Sequence, residues 1–182
     1  MLVIGGSYEE HRLALVSAET EMPPLPPCTP TLLAPDQRDA CWQLDQCSLG
    51  GLWTREQWGR ELSEPNRPCL GLIAGGELLA MACGWLVVDE LQISAVAVDP
   101  GQRRRGLGLR VLSALLAEGR ERGALSATLE VSAANTAAVE LYRRCGFSTA
   151  GIRRAYYRNG DDALIQWLSL RNLEEVRIAV RS

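Results

Sequence analysis

The sequence predicts a single α/β domain built on a mixed sheet. Two observations carry this. Apolar residues repeat with a period of two in some segments and with helical spacing in others. The order along the chain is one strand, two helices, three strands, a helix, a strand, a helix and two strands. That order combines an antiparallel meander with βαβ crossovers. The length agrees, since 182 residues suffice for one domain with a sizeable core and modest extensions.

Each element has its own signal. Residues 1–27 end in EMPPLPP, whose prolines mark a semi-rigid linker, so this stretch is expected to be an extension. The domain is expected over residues 28–170. PTLLA at 30–34 is a short strand candidate. PDQRDACWQLDQC opens a helix with Pro35 and an acidic first turn. A second helix begins in LWTREQWGREL, where Thr54 and Gln57 form a capping box and Trp53 precedes the cap. Residues 70–74 and 78–88 bracket a turn at Gly75-Gly76-Glu77 and read as a hairpin. Asp89-Glu90 turns the chain into LQISAVAV at 91–98, an apolar strand stopped by Asp99-Pro100-Gly101. A helix then runs to about Arg122 on an apolar face of Val111, Leu112, Leu115 and Leu116, and Gly123 ends it.

LSATLEV at 125–131 alternates. Leu125, Ala127, Leu129 and Val131 share one face; Ser126, Thr128 and Glu130 share the other. Asn135 caps a helix whose inner face carries Ala138, Leu141, Tyr142 and Cys145, and Gly146 stops it. IRRAYY and ALIQWLSL flank Arg158-Asn159-Gly160-Asp161, which reads as a tight hairpin. Residues 171–182 form a polar tail open to helix formation.

Composition narrows the chemistry. The formal net charge is −3 and the basic residues cluster locally, which argues against a general nucleic-acid binder. All basic side chains are arginine, so neither Schiff-base lysine chemistry nor a P-loop lysine is available. His11 is the only histidine and lies outside the periodic segments. This argues against Ser–His–Asp or Cys–His nucleophiles and against a His-ligated centre, so no metal is expected. The six cysteines, Cys28, Cys41, Cys47, Cys69, Cys83 and Cys145, show no C-x-x-C spacing, and no signal peptide precedes them. Reduced, mostly buried thiols in a cytoplasmic protein are expected. Nothing reaches the ~18 apolar residues of a membrane span, so no membrane partner is expected.

RRRGLGLR at 103–110 poses the functional question. A Walker A loop needs a lysine that this stretch lacks. A dinucleotide fingerprint needs a third glycine, where Val111 stands. What fits is a phosphate cradle: a strand ends, a basic loop follows, and glycines open a helix. Unpaired N–H groups and the helix dipole there favour anions, and arginines add charge-assisted bonds. A solvated basic turn before an amphipathic helix is the bland alternative.

VAVDPGQRRRGLGLRVL resembles motif A of the GNAT N-acetyltransferases, [RQ]-x-x-G-x-[GA], filled by Arg103, Gly106 and Gly108. LEVSAANTAAVELYRRCGF and IRRAYY are similar to the subgroup that acetylates the N-terminal alanine of a ribosomal protein. The resemblance implies a GNAT-type domain: a mixed, twisted sheet of six to seven strands, helices on both faces, and a splayed cleft between the central parallel strands. It implies acetyl-CoA as cosubstrate. Arg103, Arg104, Arg105, Gly106, Leu107 and Gly108 would hold the pyrophosphate. Strand 91–98 would pair with the pantetheine arm, and backbone N–H groups of Val96, Ala97 and Val98 would polarise the thioester carbonyl. Asn135, Ala138 and Tyr142 would line the CoA side.

Acetyl transfer needs a neutral amine, donors for the developing oxyanion and a leaving thiolate. The resemblance implies Glu130, in the cleft, as general base and Tyr142 as general acid. Trp53, Glu130, Tyr156 and Tyr157 would line the acceptor side. Ser132 and Ala134 stand where the subgroup usually has Arg and Ser, and Ala95 where it has Asn, which concerns the acceptor rather than the CoA site. The expected acceptor is a protein N-terminal α-amine, of a ribosomal protein in the subgroup. The alternatives are a small amine or lysine side chain, or a CoA-binding module without turnover. A monomer or weak homodimer is expected.

Overall fold

The computed structural model describes residues 27–171. The predicted extension over 1–27 and tail over 171–182 lie outside it, apart from Pro27 and Arg171. The strands are β1 (Pro30–Leu32), β2 (Cys69–Ala74), β3 (Glu77–Val87), β4 (Glu90–Val98), β5 (Ser126–Ser132), β6 (Ser148–Arg153) and β7 (Ala163–Ser169). The helices are α1 (Arg38–Ser48), α2 (Arg55–Glu61), α3 (Leu107–Glu121) and α4 (Thr136–Arg144). One mixed sheet has the order β1-β2-β3-β4-β5-β7-β6.

Period-two alternation divides the interior into two cores. On β3, Ala80 and Ala82 join a core with Leu107, Val111, Leu112, Leu115 and Leu116 of α3 and Tyr142 of α4. Met81 and Cys83 join a second core with Cys41 and Leu44 of α1 and Trp58 of α2. Helices therefore cover both faces, as the family resemblance implies. Ala127, Leu129 and Val131 of β5 point into the α3 core, so Thr128 and Glu130 lie on the opposite face.

Three local expectations need correction. The β3–β4 turn is Val88-Asp89, one residue earlier than read, because Val87 pairs with Glu90. Val88 takes the left-handed φ of 57° there. The thiols are not all free: Cys69 and Cys83 are joined as a disulfide, with Cα atoms 4.1 Å apart. The reason is a register shift. Ala74 pairs with Glu77 across the Gly75-Gly76 turn, but a bulge between Leu72 and Ile73 moves the register by one, which sets Cys69 opposite Cys83. Third, the final hairpin is not tight. β6 ends at Arg153, so Tyr156 and Tyr157 lie in a loop over residues 154–162. Asp162 explains the early end: its carboxylate accepts the Ala155 N–H at 2.9 Å and an Arg154 N–H at 2.6 Å. The Asn159-Gly160 turn forms inside this loop, with the Gly160 N–H on the Tyr157 carbonyl at 2.8 Å.

The feature that positions the site is the junction of β4 and β5. They pair in parallel only at Glu90–Ser126, Leu91–Ala127 and Gln92–Thr128. Beyond Gln92 the strands diverge, β4 continuing on β3 and β5 on β7. A cleft opens between Val96 and Val98 on one side and Glu130 and Ser132 on the other.

Candidate active site

One wall of the cleft is the loop into α3. Arg104 and Gly106 both adopt left-handed φ, 65° and 78°. The strain at Arg104 has no signature in the sequence. A Cβ on Gly106 would meet nothing within 4 Å, so this turn needs glycine for its φ rather than for space. A Cβ on Gly108 would lie 3.3 Å from Leu141 Cδ2 and 3.4 Å from Val98 Cγ2, so Gly108 lets α3 close on α4 and β4. The first intrahelical bond runs from the Arg110 N–H to the Gly106 carbonyl at 3.1 Å. The N–H groups of Leu107, Gly108 and Leu109 precede it and sit at the positive end of a 15-residue helix.

The three arginines differ. Arg104 is exposed. Arg105 Nη1 donates to Gln102 Oε1 at 2.5 Å. Arg103 donates to the Ser48 carbonyl at 3.4 Å, and Ser48 Oγ donates to the Val98 carbonyl at 3.1 Å. The last turn of α1 thus bridges the arginine loop and the end of β4, a link that no local motif reveals. On the same helix as Tyr142, Asn135 accepts the Ala138 N–H at 3.1 Å as the N-cap the sequence predicts.

Tyr142 is buried, its ring edge-to-face with Phe147 at 5.9 Å. Burial, with smaller contributions from Cys145 and Tyr157, pushes its phenol up to about 12. Tyr157 of the 154–162 loop is also raised, by burial first and then by the Glu130 charge.

Glu130 is half-open. It is not enclosed by apolar walls: 32% of its side chain is exposed, and Oε1 pairs with Arg153 at 3.1 Å. The Arg153 guanidinium also lies over the Tyr156 ring, 5.4 Å from its centroid. The sequence marks Arg153 only as part of R-R-x-Y-Y. Tyr156 and Tyr157 stack edge-to-face at 5.4 Å. Their loop is tied to β5 by Ser132 Oγ donating to Asp161 at 2.8 Å.

The loop of residues 49–54 follows Ser48, the α1 residue tied to Val98 and Arg103. Leu49 and Leu52 are exposed, and Trp53 packs edge-to-face on Trp58 at 4.8 Å. The Thr54–Gln57 capping box forms as read, at 3.2 and 2.8 Å. The loop's inner support is Asp45, wholly buried on α1, which no sequence signal singled out beyond an acidic residue on an apolar helix face. Chemically, these residues offer N–H donors at a helix start, an open strand edge, a phenol and a carboxylate. Among the described residues no cluster of His, Cys, Asp or Glu is arranged to hold a metal ion, and no helix is long and apolar enough to cross a membrane.

The chain is similar to known proteins in sequence and in fold. Residues 36–147 match the model of the Acetyltransferase (GNAT) family. The ribosomal protein bS18-alanine N-acetyltransferase of Salmonella typhimurium is 35% identical over 145 residues, covering 78% of this chain and 97% of that one. The enzyme of the same name from Escherichia coli strain K12 is 41% identical over 102 residues, or 54% and 69% of the two chains. The crystal structure of the ribosomal-protein-S18-alanine N-acetyltransferase from Escherichia coli aligns with a TM-score of 0.73 at 32% identity. That alignment covers 79% of this chain and 94% of the other.

Proposed function

The chain belongs to the GNAT family of acetyl-CoA-dependent N-acetyltransferases, and from that premise we propose that its acceptor is a protein N-terminal α-amine, with a ribosomal protein as the first acceptor to test. The observation that carries this reading is the cleft opened where β4 and β5 part; the glycine-started helix would line its donor side, and the Trp53 and Tyr156–Tyr157 loops its acceptor side. The similarity to the bS18-alanine acetyltransferases supports the acceptor class.

The donor side fits acetyl-CoA. Gly106 leaves open space at the start of α3, and the N–H groups of Leu107, Gly108 and Leu109 face it as anion donors. The edge of β4 beyond Gln92 has no partner strand on the β5 side and would take the pantetheine amides. Val96, Ala97 and Val98 would supply N–H donors to the carbonyl oxygen as charge develops there.

Glu130 would take a proton from the incoming ammonium and pass it to solvent, which its exposure allows. The amine nitrogen then forms the new C–N bond as the C–S bond breaks. Tyr142 would hold its phenol proton toward the departing sulfur, and the second amine proton makes good that loss. With its pKa near 12, Tyr142 gives up its proton only as the sulfur's basicity rises in the same apolar surroundings. It serves first as a hydrogen-bond donor.

The acceptor argument is one of magnitude. At pH 7 roughly one α-amine in seven is neutral, against about one lysine amine in a few thousand. A half-open carboxylate already paired with Arg153 suits the easier deprotonation.

The test is acetylation of peptides beginning with Ala or Ser, followed by release of CoA thiol. Faster turnover of a polyamine or a lysine side chain would replace the acceptor class. Binding of acetyl-CoA without turnover on any amine would leave only a CoA-binding module.

A further inference from the structure

The loop that carries Trp53 is held from inside by a single carboxylate. Asp45 follows Cys41 and Leu44 on the inner face of α1 and is wholly buried. Its Oδ1 accepts the Leu52 N–H at 2.7 Å. Its Oδ2 accepts the Trp53 N–H at 2.9 Å and Trp58 Nε1–H at 2.9 Å. Its own carbonyl accepts the Leu49 N–H at 2.8 Å and the Gly51 N–H at 3.4 Å. No arginine pairs with it among the described residues.

A buried carboxylate without a counter-ion is costly unless hydrogen-bond donors surround it. Here two of the three donors are backbone N–H groups of the loop. Asp45 is satisfied only while Leu52 and Trp53 stay where they are. The loop bends through Gly50 and Gly51, both at positive φ, and presents Leu49 and Leu52 outward, 39% and 47% exposed. Its one conformation is set from the protein side, before any acceptor arrives.

We propose that Asp45 is the positioning residue of the acceptor wall: it fixes Leu52 and Trp53 for contact with the residues that follow the acceptor amine, and so sets acceptor affinity without touching the acetyl-CoA side. This rests on the acceptor reading given above. The donor side is anchored separately, through Ser48 to Val98 and Arg103, so a change at Asp45 that leaves α1 folded leaves that link in place.

The test compares steady-state kinetics of the full chain and its Asp45→Asn variant on an Ala-initiated peptide. The variant keeps the shape but turns an N–H₂ toward N–H donors. Loss of a charged acceptor lowers the population of the aligned loop, and the apparent affinity falls with that population. The KM for peptide is expected to rise about tenfold, with the KM for acetyl-CoA within about twofold. Trp58→Phe removes the side-chain donor, keeps both loop bonds and leaves an aromatic ring for Trp53 to pack on, so its peptide KM should stay within about threefold of the parent. Should Asp45→Asn not fold, Gly51→Ala displaces the same loop through its strained φ of +86°, since the Gln46 amide near the new Cβ can swing aside. It is expected to raise the peptide KM selectively. An unchanged peptide KM in a folded Asp45→Asn or, in its place, Gly51→Ala variant overturns the proposal. So does a joint rise of both KM values, or a Trp58→Phe effect as large as that of Asp45→Asn. A parent protein inactive on peptide N-termini overturns the acceptor reading, and this proposal with it.

Discussion

Glu130 and Tyr142 have opposite environments, one half-open beside a guanidinium and one sealed in apolar contacts. Glu130→Gln and Tyr142→Phe are each expected to lower turnover by about 10²-fold, the ordinary contribution of a positioned base or acid. Stopped assays on folded variants check this; full activity in both removes their proposed roles. Burial also links titration to stability. Cys41 and Cys145 are pushed up to about 12 from an ordinary 9.0, and Tyr142 to about 12 from 10.0. The folded state keeps protons that the unfolded chain releases. Stability is therefore whole below pH ~9 and falls as pH rises to ~12, by roughly 3–4 kcal/mol for each group fully ionised. Urea midpoints measured from pH 8 to 12 follow that loss; a flat profile would contradict it. Tyr142 was legible because it sits at helical spacing with Ala138 and Cys145. Asp45 and Arg153 were not, because their partners stand on other elements.

At the scale of the element, caps and turns read well because their bonds are local. The Thr54–Gln57 box and the Asn135 cap each join residues three apart. Asn135→Ala is expected to cost about 1 kcal/mol, read by thermal or urea unfolding. The two glycines at the start of α3 should separate. Gly106→Ala strains a φ of 78° in open space and should cost of order 1 kcal/mol of stability. Gly108→Val pushes against Leu141 and Val98 and should weaken acetyl-CoA binding, measured by calorimetry, beyond any loss in Gly106→Ala. The hairpin around Tyr156 and Tyr157 read poorly. Asn159-Gly160 is a sound turn signal, but Asp162 captures the Ala155 N–H and ends β6 first. A side chain seven residues away outvoted a local propensity.

For the whole molecule, the sheet order decides what the motifs can do. The βαβ crossovers put β4 beside β5, and their short pairing opens the cleft between them. The same hairpin geometry joins Cys69 to Cys83 while Cys28, Cys41, Cys47 and Cys145 stay free. Thiol titration in denaturant should therefore find four reactive thiols before reduction and six after it. Six before reduction would show the pair open. The candidate acid and base came from the family resemblance, while by itself the sequence determined the α/β class, the order of its elements and the glycine-started helix with its arginines. These depend on hydrophobic period, caps and spacing, all of which act within a few residues. Only the tertiary structure decided how far β4 and β5 pair, which cysteines face each other, what holds Glu130, and that Asp45 supports the Trp53 loop. Those depend on register and on contacts between distant segments, where one bulge or one captured N–H changes the partner, and no local pattern carries that information.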